Sequence, residues 1–175
     1  MQIDIEAERK EILIRYKRLI KACKRRLEKG EKEIIRKAFE VAVEAHKEMR
    51  RKSGEPYIFH PLEVAEIAVS ELGLGATSVV CALLHDVVED TDTTLEDIEH
   101  RFGKDVANII DGLTKISTVF ETVDKDQSIQ AENFKKMLLT LGDDLKVILI
   151  KLCDRLHNMS CLLYTSPSPR DRQKS

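Results

Sequence analysis

The sequence predicts an all-helical (all-α) domain, and three features predict it. Only 5% of the residues are aromatic, with no tryptophan, and glycines are few. Glu, Lys, Leu, Ile and Ala are abundant, a composition that favours helix. Apolar residues recur three and four positions apart, and no segment has the length and context of a strand. At 175 residues the chain is one domain by length, large enough to bury a core.

Taken in order, Ile12, Tyr16, Leu19, Ile20, Cys23 and Leu27 lie at helical spacing within a first helix, Ile5 to Glu28, which Gly30 stops. A second helix runs from Glu31 to Arg50, with Ile35, Ala38, Ala42 and Ala45 among its inward positions. A polar loop follows, Arg51-Lys52-Ser53-Gly54-Glu55-Pro56. Pro61 suits the first turn of a third helix, Pro61 to Leu72. Gly73 and Gly75 separate it from a fourth, Thr77 to Glu89. Thr94 and Asp97 form a capping box for a short helix ending at Phe102, and Gly103 breaks it. Lys104 to Leu113 is apolar on one face, Ser117 to Ser128 reads as a polar loop, and helices follow over Ile129–Thr140 and Asp143–Met159. That makes about eight helices. Residues 1–163 form the domain. The segment 164–175 holds two of the four prolines and no apolar periodicity, and reads as a non-native or disordered tail.

The net charge of −2 gives no reason to expect nucleic-acid binding. The Lys- and Arg-rich stretch from Arg15 to Lys37 reads as a solvated helix face. Cys23, Cys81, Cys153 and Cys161 lack metal-ribbon or disulfide spacing, and two of them sit in apolar runs. The N-terminus is acidic and has no leader-like apolar stretch, and no segment is long enough to span a bilayer. A reducing, cytoplasmic setting without membrane contact is expected.

The most informative residues are His85-Asp86-Val87-Val88-Glu89-Asp90, directly after the apolar run Val79–Leu84. On a helix Glu89 stacks above His85 and Asp90 above Asp86. His60 upstream, and Asp154 with Asn158 downstream, are candidates to complete a metal site. His60, His85, Asp86 and Asp154 make a mixed nitrogen and oxygen set without thiolates. Such a set suits Mn²⁺ or Fe²⁺, with Zn²⁺ and Mg²⁺ open, and argues against a structural zinc. Neighbours on a helix point about 100° apart, so His85 and Asp86 reach one ion only at a helix edge or end. Glu89 or Asp90 would exchange a proton with the attacking water. Arg51 can stack on a purine and Lys52 suits a phosphate. Tyr57 reads as packing, His46 as a satisfied structural histidine, His100 as surface, and His157 as structural or as a support for a ligand.

Three motifs stand in order: Arg51–Tyr57 followed by His60-Pro61, Ala82-Leu83-Leu84-His85-Asp86-Val87-Val88-Glu89-Asp90-Thr91, and Asp154-Arg155-Leu156-His157-Asn158-Met159. This His…His-Asp…Asp order resembles HD-type metal phosphohydrolases. Within them, residues 1 to about 163 resemble the N-terminal hydrolase domain of the RelA/SpoT homologue family. The resemblance implies an HD-domain helical bundle that removes the 3′-pyrophosphate of (p)ppGpp, the alarmone of the stringent response, giving GDP or GTP and pyrophosphate. It implies one Mn²⁺ on His60, His85, Asp86 and Asp154, with Glu89 and Asp90 handling the water and proton. It places Arg51, Lys52, Ser53 and Asn158 at the nucleotide. It further implies a longer, bifunctional parent with a GTP pyrophosphokinase domain, and leaves self-association of that parent open. Ser160-Cys161 stands where the family usually has Arg-Thr, and the chain stops before the family's last hydrolase-domain helices. Two alternatives stay open: an HD phosphohydrolase for another nucleotide, and an inactive helical module that binds nucleotide or a partner.

Overall fold

The computed structural model describes residues 4–24, 26–123 and 145–165, and every regular element among them is helical. Helix α1 spans Ile5–Cys23, capped by the Asp4 carboxylate accepting from the Ala7 N–H at 3.1 Å. It ends short of the expected Glu28. Gly30, at φ +92°, opens the next helix instead of closing the first. Helix α2, Glu31–Ala45, also stops short of the expected Arg50. His46 leaves helical geometry (φ −107°, ψ 13°), and its Nδ1 takes up the Ala42 carbonyl at 3.0 Å.

The loop that follows is held at both ends. Arg51 N–H donates to the Glu55 carbonyl and Tyr57 N–H to that of Met49, each at 3.0 Å. The Arg50 guanidinium clamps Glu8 of α1 through two bonds of 2.8 and 2.9 Å. Helix α3, Phe59–Ser70, carries Pro61 in its first turn, where its missing N–H costs nothing. Gly73, at φ +65°, closes it: its N–H reaches the Val69 carbonyl and that of Leu74 the Ala68 carbonyl.

Helix α4, Ala76–Leu84, is the axis of the core. Val79 to Leu84 are each at most 1% exposed, and α2, α3 and two later helices, Lys104–Val123 and Leu145–Thr165, pack around them. A helix apolar on every side has to be buried on every side. Next come α5, Val87–Asp90, and α6, Leu95–Phe102. The capping box of α6 forms as expected, with Asp97 N–H on Thr94 Oγ1 at 3.2 Å and Thr94 N–H on Asp97 Oδ2 at 2.9 Å.

Helix α7 spans Lys104–Val123, well past the expected end at Leu113 and into the expected loop. Its polar residues do not break it. Thr114 and Ser117 return their hydroxyls to the Ile110 and Leu113 carbonyls, and Ile116 is 2% exposed in the core. The rest of that expected loop and the helix expected over Ile129–Thr140 lie outside the described residues. Helix α8, Leu145–Thr165, continues past Met159 through the boundary expected at 163. Ser160 is accommodated in the same way, by a bond to the Leu156 carbonyl at 2.9 Å. Val147, Ile150 and Cys153 of α8 face the core, while Leu145, Leu152, Leu156 and Met159 are exposed.

Candidate metal centre

Three helices deliver four side chains to one point. His60 is the second residue of α3, His85 follows the last residue of α4, Asp86 precedes α5, and Asp154 lies midway along α8. The single helix expected over Thr77–Glu89 is in fact broken. α4 stops at Leu84, and Asp86 adopts φ −97°, ψ −7° before α5 begins. Both residues keep right-handed helical backbone, but they stand at a helix end, where their side chains can converge, and His85 Nε2 lies 3.0 Å from Asp86 Oδ2. His60 Nε2 lies 3.1 Å from Asp154 Oδ1 and 3.6 Å from Asp86 Oδ2, and His85 Nε2 lies 3.9 Å from Asp154 Oδ1. One ligand atom from each of His60, His85 and Asp86 falls within 4.8 Å of the others.

Each ring is oriented from behind. His85 Nδ1 donates to the Ala82 carbonyl at 2.7 Å, so in the neutral ring Nε2 carries the lone pair. That Nε2 is buried and has no hydrogen-bond partner. A lone pair aimed at two carboxylates is unsatisfied until something positive lies between them. His60 Nδ1 meets His157 Nδ1 at 2.8 Å, and His157 Nε2 faces Cys161 Sγ at 3.6 Å. Asp86 accepts from the Tyr57 hydroxyl at 2.7 Å. Asp154 accepts from Asn158 Nδ2 at 2.9 Å and pairs with Lys151 Nζ at 2.9 Å.

Electrostatics agree with a cation site. Burial works against charge on His85, but the Asp86 and Asp154 carboxylates outweigh it and push the imidazole up to about 9, so a proton and a divalent ion compete for the same Nε2 as the positive charge the two carboxylates call for. Burial likewise opposes ionisation of Asp86, yet His85, His60 and the Tyr57 hydroxyl hold its carboxyl well below the usual range. His60 and Lys151 do the same for Asp154 against burial. Burial pushes His157 down to about 4, which suits a neutral ring behind His60. Two neutral-capable imidazoles and two firmly ionised carboxylates, with one nitrogen left without a partner, fit a divalent ion.

The other expected site residues fall into two cavities. His60, Asp86 and Asp154 form part of the wall of one of about 680 Å³, whose rim includes Arg51, Lys52, Ser53 and Asn158. Arg51 Nη2 donates to Asn158 Oδ1 at 3.0 Å, which links the rim to Asp154 through Asn158. Arg51 Nη1 is buried without a hydrogen-bond partner. Cys161 also reaches this cavity. Glu89 and Asp90 do not; they reach solvent along an adjacent cleft of about 510 Å³ beside Glu44 and Glu48. Partial burial raises the carboxyls of both above their ordinary values, with Asp86 adding to the shift in each.

Sequence reasoning passed over two contributors. Tyr57 reads as packing in the sequence, but its hydroxyl bonds a candidate ligand. Lys151 pairs with Asp154, and its position three residues before that aspartate on one helix is the signal the sequence offers.

With this geometry in hand, the class is defined: a model of the HD domain matches residues 38–175, and the chain belongs to the HD domain family. Among curated relatives it is 49% identical over 130 residues to the guanosine-3′,5′-bis(diphosphate) 3′-pyrophosphohydrolase of Aquifex aeolicus (strain VF5), covering 74% of this chain and 18% of that one. It is 46% identical over 138 residues to the bifunctional (p)ppGpp synthase/hydrolase SpoT of Escherichia coli (strain K12), covering 79% and 19%. It is 45% identical over 141 residues to the GTP pyrophosphokinase of Myxococcus xanthus, covering 80% and 18%. The chain thus spans about a fifth of the length of the curated relatives it matches. The fold resembles a solved structure described as a metazoan ortholog of SpoT that hydrolyses ppGpp, with a TM-score of 0.59, 28% identity, and coverage of 81% of this chain and 75% of that one. The resemblance to RelA/SpoT homologues read from the motifs stands on these relatives.

Proposed function

We propose that this chain hydrolyses the 3′-pyrophosphate of (p)ppGpp to GDP or GTP and pyrophosphate, with Mn²⁺ on His60, His85, Asp86 and Asp154. The observation that carries the reading is the unpartnered Nε2 of His85, directed at Asp86 and Asp154 beside a cavity rimmed by Arg51, Lys52, Ser53 and Asn158. A divalent ion held there supplies charge that polarises a phosphoryl oxygen and lowers the pKa of a bound water.

The protein's own groups do the rest. Arg51, braced by Asn158, offers a planar cation to the guanine base, and Lys52 offers a point charge to phosphate. Asn158 couples the nucleotide rim to Asp154, so substrate position and ligand position are linked. Glu89 and Asp90 open on the neighbouring cleft and meet the metal residues through Asp86, whose charge both carboxyls feel; from that side they would exchange protons with the attacking water and the departing 3′ oxygen, and partial burial raises both above their ordinary values. The proposal is confined to hydrolysis. Cys23, Cys81, Cys153 and Cys161 form no disulfide, which supports a reducing, cytoplasmic setting. Among the described residues no helix is long and apolar enough to cross a membrane.

The test is pyrophosphate release from ppGpp by purified protein with and without Mn²⁺, alongside a panel of other nucleotides. Turnover should depend on the metal, prefer ppGpp and vanish in Asp86→Ala. Metal-replete, folded protein without turnover on ppGpp overturns the reading.

A further inference from the structure

The two oxygens of Asp154 keep different company. Oδ1 accepts from Asn158 Nδ2 at 2.9 Å and faces His60 Nε2 at 3.1 Å and His85 Nε2 at 3.9 Å. Oδ2 meets the Lys151 ammonium at 2.9 Å. Lys151 stands three residues before Asp154 on α8, a spacing at which side chains of one helix meet. Such a pair on an exposed helix contributes little, but this one is enclosed, with side chains 14% and 9% exposed. It is also tied to a second helix, because Lys151 Nζ donates to Ser117 Oγ of α7 at 2.8 Å. Ser117 gives its own proton to the Leu113 carbonyl at 3.1 Å, so its oxygen is open to accept from the ammonium. An ammonium that swings away from Oδ2 gives up the bond to α7 as well.

We propose that Lys151 is a positioning residue for Asp154 and sets the metal preference of the centre: it holds Oδ2, so that Asp154 offers an ion Oδ1 alone. The inference rests on the reading of His60, His85, Asp86 and Asp154 as metal ligands. A carboxylate free to turn can give an ion both oxygens, and Ca²⁺, which gathers about six to eight oxygens, accepts that mode readily. A set of two imidazoles and single carboxylate oxygens suits a transition metal instead. With Oδ2 engaged, the centre is short of oxygens for Ca²⁺, and Oδ1 stays on the side of His60 and His85. The charge of Lys151 acts in the opposite sense. A fixed ammonium beside a cation repels every divalent ion alike. A role through charge alone and a role through aim therefore predict opposite effects on Mn²⁺ binding when the lysine is removed.

Two substitutions separate these roles. Lys151→Met keeps most of the side chain and removes the ammonium, while Ser117→Ala leaves the ammonium and removes its anchor. Dissociation constants for Mn²⁺ and Ca²⁺ are measured by calorimetric titration of the full chain and both variants, with melting of the metal-free proteins in parallel. Lys151→Met should lose about tenfold in Mn²⁺ affinity, the effect commonly seen when a ligand loses its supporting partner, while Ca²⁺ affinity holds or rises. The ratio of the two constants then moves toward Ca²⁺. Ser117→Ala should move it the same way by less, and carries the test if Lys151→Met does not fold. Tighter binding of both ions in Lys151→Met means that the lysine acts through its charge alone, and overturns the proposal. Parallel weakening of both ions means that it only braces α8 against α7, and overturns it as well. If the unaltered chain takes up no Mn²⁺, the metal centre falls first and this inference with it. If it binds Mn²⁺ and the ratio is unmoved in the variants, the centre stands and Lys151 has no part in its preference.

Discussion

Replacing Gly112 by alanine tests how α8 is set against the core. Gly112 lies in α7, and a Cβ built on it meets Val147 Cγ2 at 3.0 Å and Cγ1 at 3.3 Å. Two terms oppose each other. Alanine in a helix interior is favoured over glycine by about 1 kcal/mol. Crowding a packed core costs about 1–3 kcal/mol. Val147 is 2% exposed, and a valine in a helix has one strongly preferred rotamer, so the side chain cannot swing clear. The helix itself has to yield by a few tenths of an ångström. The crowding term should win by about 1 kcal/mol, which lowers the melting temperature by about 2–4 °C for a domain of this size. The function should suffer too, because Asp154 lies seven residues beyond Val147, about two turns along α8 on the same side. Moving α8 carries Asp154 away from His60, now 3.1 Å distant. The assays are thermal melting of the metal-free protein and titration with Mn²⁺. A melting temperature raised by helix propensity alone, with unchanged metal affinity, would refute the reasoning.

Two further changes probe the periphery and the rim. Thr94→Ala removes the α6 cap and should cost about 1 kcal/mol, read as a lower melting temperature with turnover unchanged. The Asp97 carboxyl is held below its ordinary value by the Thr94 N–H and then by the Thr94 hydroxyl at 2.8 Å; alanine keeps the N–H but loses the hydroxyl, whose bond to the carboxylate contributes above the unfolded carboxylate value and is lost as pH falls through the folded one, so that part of the cost of Thr94→Ala should shrink in melts taken at strongly acidic pH. Arg51→Lys loses the planar fork that bonds Asn158, and should raise KM for ppGpp about tenfold with a smaller effect on kcat in steady-state kinetics.

How much of this was legible beforehand depends on the reach of each cause. The α6 cap, the place of Pro61 and the buried α4 were readable because each depends on neighbours a few residues away. The ends of α1, α2 and α7 were not. His46 leaves α2 for a carbonyl bond, Gly30 serves the following helix, and Thr114 and Ser117 fold their hydroxyls back into α7. Local pattern carries no sign of which option the core will favour. Tyr57 looked like packing because its partner, Asp86, lies 29 residues away.

By itself the sequence determined that the chain is helical, that α4 is buried, and which residue types converge: two imidazoles, two carboxylates, and a basic loop upstream. Periodicity and chemical identity are local properties and survive in a one-dimensional reading. Only the tertiary structure decided that the helix breaks between Leu84 and Val87, so that His85 and Asp86 face one point with His60 and Asp154. Only it separated Glu89 and Asp90 from the cavity rimmed by Arg51, Lys52, Ser53 and Asn158 and turned the Nε2 of His46 toward Asp90. Those outcomes depend on the packing of α4 against α2, α3, α7 and α8, and a lone pair's direction is set by contacts between segments far apart in the chain.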